Sequence, residues 1–168
     1  MKIMKKVFIV AGMILLAVMG FWACGESYED NPVDPDGPLK LYANSGCKSH
    51  ARPDGTRGIS DKEAVEFKAL GDSALSFNHV NVDFECGVKQ IVPYVTIVGD
   101  TIKVDERDYY DPLDRRDCIC FYDVYFEIGP LENKNYCVVF LRRMDERFRF
   151  DLTYYPSLSG TYNVKEGK

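Results

Sequence analysis

Cys24 is the residue whose surroundings most narrowly define a chemistry. It follows Ala23 at the end of an apolar run that begins at Val7, and three lysines lie within the first six residues. A basic segment, an apolar segment and a small residue before a cleavage point are typical of a secretory signal peptide. A membrane-spanning helix needs about 20 apolar residues with suitable flanks, which this run lacks. An uncleaved anchor with an incidental cysteine is the alternative.

The residues FWACG at 21–25 resemble a lipobox, with Phe21 in the place where leucine is usual. The resemblance implies cleavage before Cys24 by signal peptidase II and acylation of Cys24, palmitate being one of the acyl groups. Two or three acyl chains give stable membrane attachment, whereas one chain binds only marginally. We therefore predict a lipoprotein signal peptide over 1–23 and a lipid-anchored protein of the cell envelope, at the outer membrane.

Five further cysteines are candidates for disulfide bonds outside the cytoplasm. They are Cys47, Cys86, Cys118, Cys120 and Cys137. Cys118 and Cys120 lie about 6.6 Å apart on one face of a strand, so they are not expected to bond to each other. We predict a bridge from Cys86 to Cys118 or Cys120, across the two sheets of a sandwich. The odd number leaves one thiol free.

A metal or redox site is the alternative use of these thiols. Cys86, Cys118 and Cys120, with either His79 or Cys137, would supply a tetrahedral, sulfur-rich set of zinc ligands. Such a site needs reduced thiolates, which an oxidising compartment disfavours, and the chain has no Cys-x-x-Cys motif. We therefore predict no metal and no cofactor.

Nucleophilic catalysis needs a base, and the chain has two histidines, His50 and His79. His50 lies in a polar segment where a surface histidine is expected. His79 is placed by the pattern at a bend before a core strand, with its side chain hydrogen-bonded into the local turn. The Gly-x-Ser-x-Gly and His-Glu-x-x-His motifs are absent from the sequence. We predict no catalytic residue and no enzymatic activity.

Acidic residues crowd the segment 105–117, with arginines between them. They are Asp105, Glu106, Asp108, Asp111, Asp114 and Asp117. A solvated connection is the first interpretation, because charge clusters in loops usually lie at the surface. The sharper hypothesis is a ligand face of Tyr109, Tyr110, Asp108 and Asp111, where tyrosines stack on a sugar or peptide. A carboxylate pair in this segment would also suit a glycosidase.

Removal of residues 1–23 takes away three lysines and no acid, which leaves 18 basic against 26 acidic residues, a net charge of −8. Nucleic-acid binding depends on neutralising phosphates with Lys and Arg, so a nucleic-acid partner is excluded. Direct attraction to an anionic membrane surface is disfavoured for the same reason. The expected partners are the membrane, through the lipid, and a protein or glycan of unknown identity.

The elements that must position these residues are strands. Residues 24–38 are acidic and proline-rich, which predicts a flexible tether, and 39–168 is long enough for one domain. Alternation over 118–128 predicts the clearest strand, and residues 136–142 are predicted to form the strand that returns beside it. The pair Gly99-Asp100 predicts a hairpin turn. Residues 60–70 fit a strand or a capped helix, and the strand is favoured. Near Asn78 the apolar residues change from odd-numbered to even-numbered positions, which predicts a bulge in the strand. This pattern predicts an all-β, antiparallel β-sandwich.

Three stretches, SFNHVNVDFECG (76–87), VGDTIKVDE (98–106) and CICFYDVYFEIGPLENKNYCVVF (118–140), resemble uncharacterised cell-envelope lipoproteins of Bacteroidota. The resemblance implies an immunoglobulin-like or related β domain and carries no known activity. It implies a structural role for the residues that match, which are His79, Cys86, Cys118, Cys120 and Asp123. The leading expectation is a non-enzymatic lipoprotein for binding, adhesion or assembly.

Overall fold

The computed structural model describes residues 34, 36–50, 62–110 and 118–165, without the side chains of residues 49 and 50. These residues belong to one compact unit, Asn31–Lys168, and form ten strands. In chain order the strands are β1 (Leu39–Asn44), β2 (Ser49–His50), β3 (Ala64–Leu70), β4 (Ala74–Glu85), β5 (Val88–Val98), β6 (Thr101–Tyr110), β7 (Ile119–Ile128), β8 (Asn135–Arg142), β9 (Asp145–Thr153) and β10 (Ser159–Asn163). The predicted signal peptide, Cys24 and most of the predicted tether lie outside the described residues.

The strands form two sheets that pack face to face. Sheet A has the order β1-β7-β4-β3-β10, with the short β2 also paired to β7, and sheet B has the order β5-β6-β8-β9. Every pair in sheet A is antiparallel, whereas β6 and β8 of sheet B are parallel. The predicted all-β sandwich is confirmed, and its second sheet is mixed.

Strand β7 lies between β1 and β4 in sheet A and supplies much of the core. Its alternate residues Cys120, Tyr122, Val124, Phe126 and Ile128 are all at most 1% exposed. A strand with one face against a core alternates in this way because successive side chains point to opposite faces. The strongest strand predicted from the sequence is therefore confirmed.

Strand β3 settles the ambiguous segment at 60–70. It is hydrogen-bonded to β4 on one side and to β10 on the other, with Val65 fully buried. A helix capped by Ser60 would satisfy its hydrogen bonds internally and would leave both neighbouring strands without a partner. The favoured strand prediction is confirmed.

Strand β4 contains the predicted bulge, but at a later position in the strand. Leu75, Phe77 and His79 all face the core, and the pairing with β7 shifts between His79 and Val82. Asn81 absorbs the extra residue with a φ of 57°, a left-handed conformation that asparagine tolerates better than most residues. The bulge predicted at Asn78 therefore lies at Val80–Asn81, and His79 points inward rather than into a local turn.

The connection after β7 departs from the prediction of a return strand. Strand β8 does not pair with β7; it pairs with β6 and β9 in sheet B, so residues 129–134 cross from one sheet to the other. Gly129 lies at the start of this crossing, where a Cβ atom would come within 2.9 Å of the Ser73 carbonyl oxygen. The close approach of two backbones explains the requirement for glycine here.

Strand β6 is longer than the sequence suggested. Residues 105–110, predicted to begin an acidic loop, continue the pairing with β5 to its start at Val88. Asp105 and Glu106 are 6% and 1% exposed, so these two acids are buried strand residues rather than a solvated connection. Residues 111–117 lie outside the described part of the chain.

Two tight turns connect the antiparallel pairs β5–β6 and β8–β9 of sheet B. The predicted turn between β5 and β6 is confirmed, with Gly99 at a φ of 59°. Arg143 and Met144 connect β8 and β9 with φ values of 52° and 74°, the combination that a type I′ hairpin turn requires.

The two sides of the sandwich close differently. On one side the Ile91 amide of β5 donates to Asn44 Oδ1 of β1, at 3.1 Å. On the other side the Tyr162 ring of β10 stacks on Phe150 of β9, with centroids 4.5 Å apart. Strand β10 was not expected from the sequence. None of the described residues forms a helix of the length and apolar character that crossing a membrane requires.

Candidate functional site

A network of charged side chains lies between the two sheets, around His79. His79 is fully buried in β4, and both of its ring nitrogens contact carboxylates. The Nδ1 atom lies 2.8 Å from Oε1 of Glu106 in β6, and the Nε2 atom lies 2.8 Å from Oε1 of Glu63, immediately before β3. Glu106 belongs to sheet B and His79 to sheet A, so the imidazole joins the two layers.

The two carboxylates decide the protonation of His79. Burial alone lowers the pKa of the imidazole, but charge attraction and hydrogen bonds from Glu106 and Glu63 outweigh it and raise the pKa to about 9. At neutral pH the ring is therefore an imidazolium that donates from both nitrogens. A ring held in this form has no lone pair with which to accept a proton, so it does not act as a general base.

The network continues toward the β8–β9 hairpin. Arg147 Nη2 of β9 lies 3.2 Å from Glu63 Oε2 and 3.1 Å from Asp83 Oδ1, and Arg142 lies 3.5 Å from the same Asp83 oxygen. Positive and negative groups alternate along the series Glu106, His79, Glu63, Arg147, Asp83 and Arg142. We call these six residues the buried charge network. His79, Glu63 and Glu106 are its buried members, whereas the side chains of Arg147, Asp83 and Arg142 are 22–30% exposed. The formal charges of the six residues cancel, which makes burial of the inner three tolerable.

Sequence reasoning missed the partners of His79. Glu63 lies in the segment 60–70, which fits a strand or a capped helix, and Glu106 lies in the predicted acidic loop, so neither pattern pairs these acids with His79. The signal available in the sequence was the alternation of β6, because Glu106 follows the apolar residues Ile102 and Val104 at a spacing of two. An acid at the next inward position of such a strand needs a buried counter-charge.

The cysteines form two disulfides at one end of sheet A. Cys86 is bonded to Cys118, and Cys47 is bonded to Cys120. The predicted bridge from Cys86 is confirmed, but it joins the neighbouring strands β4 and β7 of one sheet instead of crossing the sandwich. Among the described cysteines, Cys137 is the free thiol. It pairs with Thr101 at the start of β6, whereas the other four lie near the opposite end of that strand.

These bonds bear on two of the predictions. Disulfide bonds form and persist in oxidising compartments, so the two bonds indicate that the protein is extracytoplasmic. The alternative zinc site requires Cys86, Cys118 and Cys120 as thiolates, whereas each of these sulfurs is in a disulfide bond. Within the described ranges, no group of three or more His, Cys, Asp and Glu side chains is arranged to hold a metal ion.

The predicted ligand face is divided between the two sides of β6. Tyr109 points outward and is 38% exposed, whereas Asp108 and Tyr110 lie at its flanks in the sequence and therefore on the opposite face. Tyr110 donates its hydroxyl hydrogen bond to Asp108, whose carboxylate also binds Arg143 at 2.8 Å. These two hydrogen bonds hold the pKa of Asp108 below its usual value although burial raises it. Asp111 lies outside the described residues.

Tyr109 instead belongs to a polar aromatic surface on the outside of sheet B, which extends to Tyr42 in β1 of sheet A. Its hydroxyl is 2.6 Å from that of Tyr94, and the Arg107 guanidinium lies over the Tyr94 ring, 4.1 Å from the centroid. Beside them the Gln90 amide donates to the Tyr42 hydroxyl at 2.5 Å. We call Tyr42, Gln90, Tyr94, Arg107 and Tyr109 the tyrosine surface. The charge of Arg107 is balanced by Asp105, 2.8 Å away, so the surface is neutral.

The fold and the disulfides define this chain as an extracytoplasmic β-sandwich protein. No protein-family model, curated protein or solved structure matches it significantly.

Proposed function

We propose that the mature protein is a lipid-anchored, non-enzymatic binding module of a bacterial cell envelope. The disulfides support a location outside the cytoplasm. The basic and apolar N-terminus and the lipobox-like residues before Cys24 support attachment by lipid, at the outer membrane, as does the resemblance to envelope lipoproteins of Bacteroidota. The acidic residues 25–38 would separate the folded domain from the membrane.

A binding role is favoured over catalysis by the state of His79. Its ring nitrogens are both committed to carboxylates, and its pKa of about 9 keeps it protonated at neutral pH. The acids 105 and 106, which were candidates for a glycosidase, are engaged in ion pairs or hydrogen bonds with Arg107 and His79. Among the described residues, these candidate polar groups thus have partners within the fold.

The observation that carries the proposal is the tyrosine surface. Tyrosine offers a rigid, amphipathic ring at a low entropic cost, and tyrosines accordingly dominate many binding faces. Here the Gln90 amide and the hydroxyls of Tyr42 and Tyr94 accompany the exposed Tyr109 ring, and no net charge selects an ionic ligand. We assign this face to a neutral, hydroxyl-rich ligand, a glycan, whose ring hydrogens pack on Tyr109 and whose hydroxyls bond to Gln90 and the tyrosine hydroxyls.

A glycan array probed with the purified protein lacking residues 1–23, with Cys24 replaced by serine, tests the ligand class. We expect binding to neutral glycans, with affinity reduced about tenfold or more by Tyr109→Ala, as for other central aromatic contacts. Tyr155→Ala is the matched control, because Tyr155 is similarly exposed (42%) but does not belong to the tyrosine surface. Equal losses in both variants, or binding that neither variant changes, would place the ligand elsewhere.

The anchor needs a separate experiment on the full chain expressed in a bacterium. Mass spectrometry of the N-terminal peptide should show cleavage before Cys24 and a mass increase from acyl chains. Cys24→Ser should remain uncleaved or unlipidated and leave the membrane fraction. An unmodified Cys24 in membrane-bound wild-type protein would refute lipidation whatever the result of the array.

A further inference from the structure

Four cysteines from three separate segments meet at one end of sheet A. Cys86 directly follows β4, Cys118 directly precedes β7, Cys120 lies in β7, and Cys47 lies two residues before β2. The Cys86 amide donates to the Cys118 carbonyl oxygen at 2.7 Å, so these two residues are opposite each other. Cys120, two residues further on, is on the same face of β7 as Cys118 and is the diagonal neighbour of Cys86. We call these four residues the cysteine cluster.

The two disulfides of the cluster are in contact. The Sγ atom of Cys120 lies 3.1 Å from the Sγ atom of Cys86, although each belongs to a different bond. Thiol–disulfide exchange proceeds by attack of one sulfur on another, so a thiolate on Cys120 would already be beside an electrophilic sulfur. Two purely structural disulfides do not require this proximity.

We propose that the cysteine cluster is a thiol–disulfide exchange site whose substrate is an external thiol. Exposure favours entry of that thiol at Cys47, because Cys47 is exposed, Cys118 is half-buried, and Cys86 and Cys120 are 3% and 1% exposed. The external thiolate attacks Cys47 Sγ and forms a mixed disulfide there. The Cys47–Cys120 bond breaks, and Cys120 leaves as a thiolate next to Cys86.

The second step transfers the bond within the sheet. The Cys120 thiolate attacks Cys86 Sγ, a Cys86–Cys120 bond forms, and the Cys86–Cys118 bond breaks with Cys118 leaving as a thiolate that takes a proton from water. A second external thiolate then attacks the outer sulfur of the mixed disulfide, forms an external disulfide and releases Cys47. Two external thiols are thereby oxidised to one disulfide, and the protein gains two thiols, at Cys47 and Cys118.

The surrounding structure makes the exchange reversible. Strands β4 and β7 stay crosslinked in either pairing, so the core is not released. The segment that carries Cys47 also remains bound to β7 without its disulfide, since the Ser45 and Lys48 amides donate to the carbonyl oxygens of Asp123 and Phe121, each at 2.9 Å. Cys47 therefore stays where an external oxidised partner can restore the original bonds.

Limited reduction of the wild-type protein tests the exchange. The protein is treated with substoichiometric 2-mercaptoethanol, quenched with acid, alkylated and digested, and fragment ions that separate Cys118 from Cys120 identify each bond. We expect Cys86–Cys120 to accumulate, with Cys47 and Cys118 alkylated, before fully reduced protein appears. Alkylation of Cys47 and Cys120 together, with Cys86–Cys118 intact, would overturn the proposal.

The variant Cys47→Ser offers an independent test without added thiol, because it leaves Cys120 unbonded beside the other disulfide. We expect a substantial fraction of this variant to carry Cys86–Cys120 with Cys118 open to alkylation. Cys137→Ser, at the far end of the sandwich, is the control and should retain both original disulfides. Cys47→Ser protein that contains only Cys86–Cys118 would contradict the proposal, and if this variant does not fold, limited reduction of the wild type decides.

Discussion

The buried charge network and the tyrosine surface are both clusters of hydrogen-bonded polar side chains, but they differ in their exposure to solvent. Each joins polar side chains from both sheets through short hydrogen bonds. His79 and Glu106 are at most 1% exposed and have their partners inside the protein, whereas Tyr109 is 38% exposed and Gln90 also reaches solvent. The difference teaches that exposure, more than residue type, separates a polar cluster that stabilises a fold from one that can receive a ligand.

The comparison is most strongly tested by removing the imidazolium. His79→Leu leaves the Glu63 and Glu106 carboxylates buried without their shared counter-charge, and breaking such a buried pair costs about 3–5 kcal/mol. We expect the free energy of unfolding in urea at pH 7 to fall by this amount. Arg149→Ala is the control, because it removes an exposed ion pair with Glu146 and should leave the unfolding midpoint nearly unchanged.

A further change separates lost attraction from lost packing. If uncompensated carboxylates cause the instability, adding Glu63→Gln and Glu106→Gln to His79→Leu should recover part of the lost stability, because neutral amides are less costly to bury. Equal stability of the single and triple variants would assign the loss to packing around Phe140 and Phe148, whose rings contact the imidazole.

The pH dependence of stability gives the next largest effect. The pKa of His79 rises from an ordinary 6.5 to about 9 on folding, so the native state holds this proton more tightly than the unfolded chain. The resulting stabilisation is complete below about pH 6.5 and is lost as the pH rises through about 9; a shift of this size corresponds to roughly 3 kcal/mol.

Urea unfolding at a series of pH values from 6 to 10 measures this loss. His79→Gln retains hydrogen-bonding groups but does not titrate in this range, so the difference between the wild type and this variant isolates the histidine. We expect the difference to shrink steadily from pH 6.5 to 9. A difference that does not change with pH would mean that folding leaves the pKa of His79 near its ordinary value of 6.5.

Local patterns in the sequence predicted those parts of the fold that depend on neighbouring residues. Alternation predicted β7, the Gly99-Asp100 pair predicted the β5–β6 turn, and the parity of β4 predicted a bulge two to three residues from its position. The sheet to which β8 belongs was not predictable in this way. Its choice of β6 over β7 is a long-range pairing, and the residues of β8 alternate equally well in either sheet.

In the candidate sites, too, local features could be predicted from the sequence and long-range contacts could not. The free-thiol count and a bridge from Cys86 followed from cysteine number and strand geometry, but the contact between the two disulfides depends on where Cys47 is brought by β2. His79 could be recognised as a core residue only once the bulge was placed after it. Tyr109 and Tyr110 could have been assigned to opposite faces from the start, if 105–110 had been recognised as a strand.

The smallest expected effect is at the tyrosine surface, and it completes the comparison. Tyr109→Ala removes an exposed ring and its hydrogen bond to Tyr94, both already in contact with water, so the free energy of unfolding should change by less than about 1 kcal/mol. The same urea titration that registers His79→Leu measures it, with Tyr155→Ala alongside. A loss as large as that of His79→Leu would mean that Tyr109 supports the sheet, and any fall in ligand binding would then report unfolding. Near-wild-type stability is therefore what allows a loss of glycan binding by Tyr109→Ala to be attributed to the surface itself.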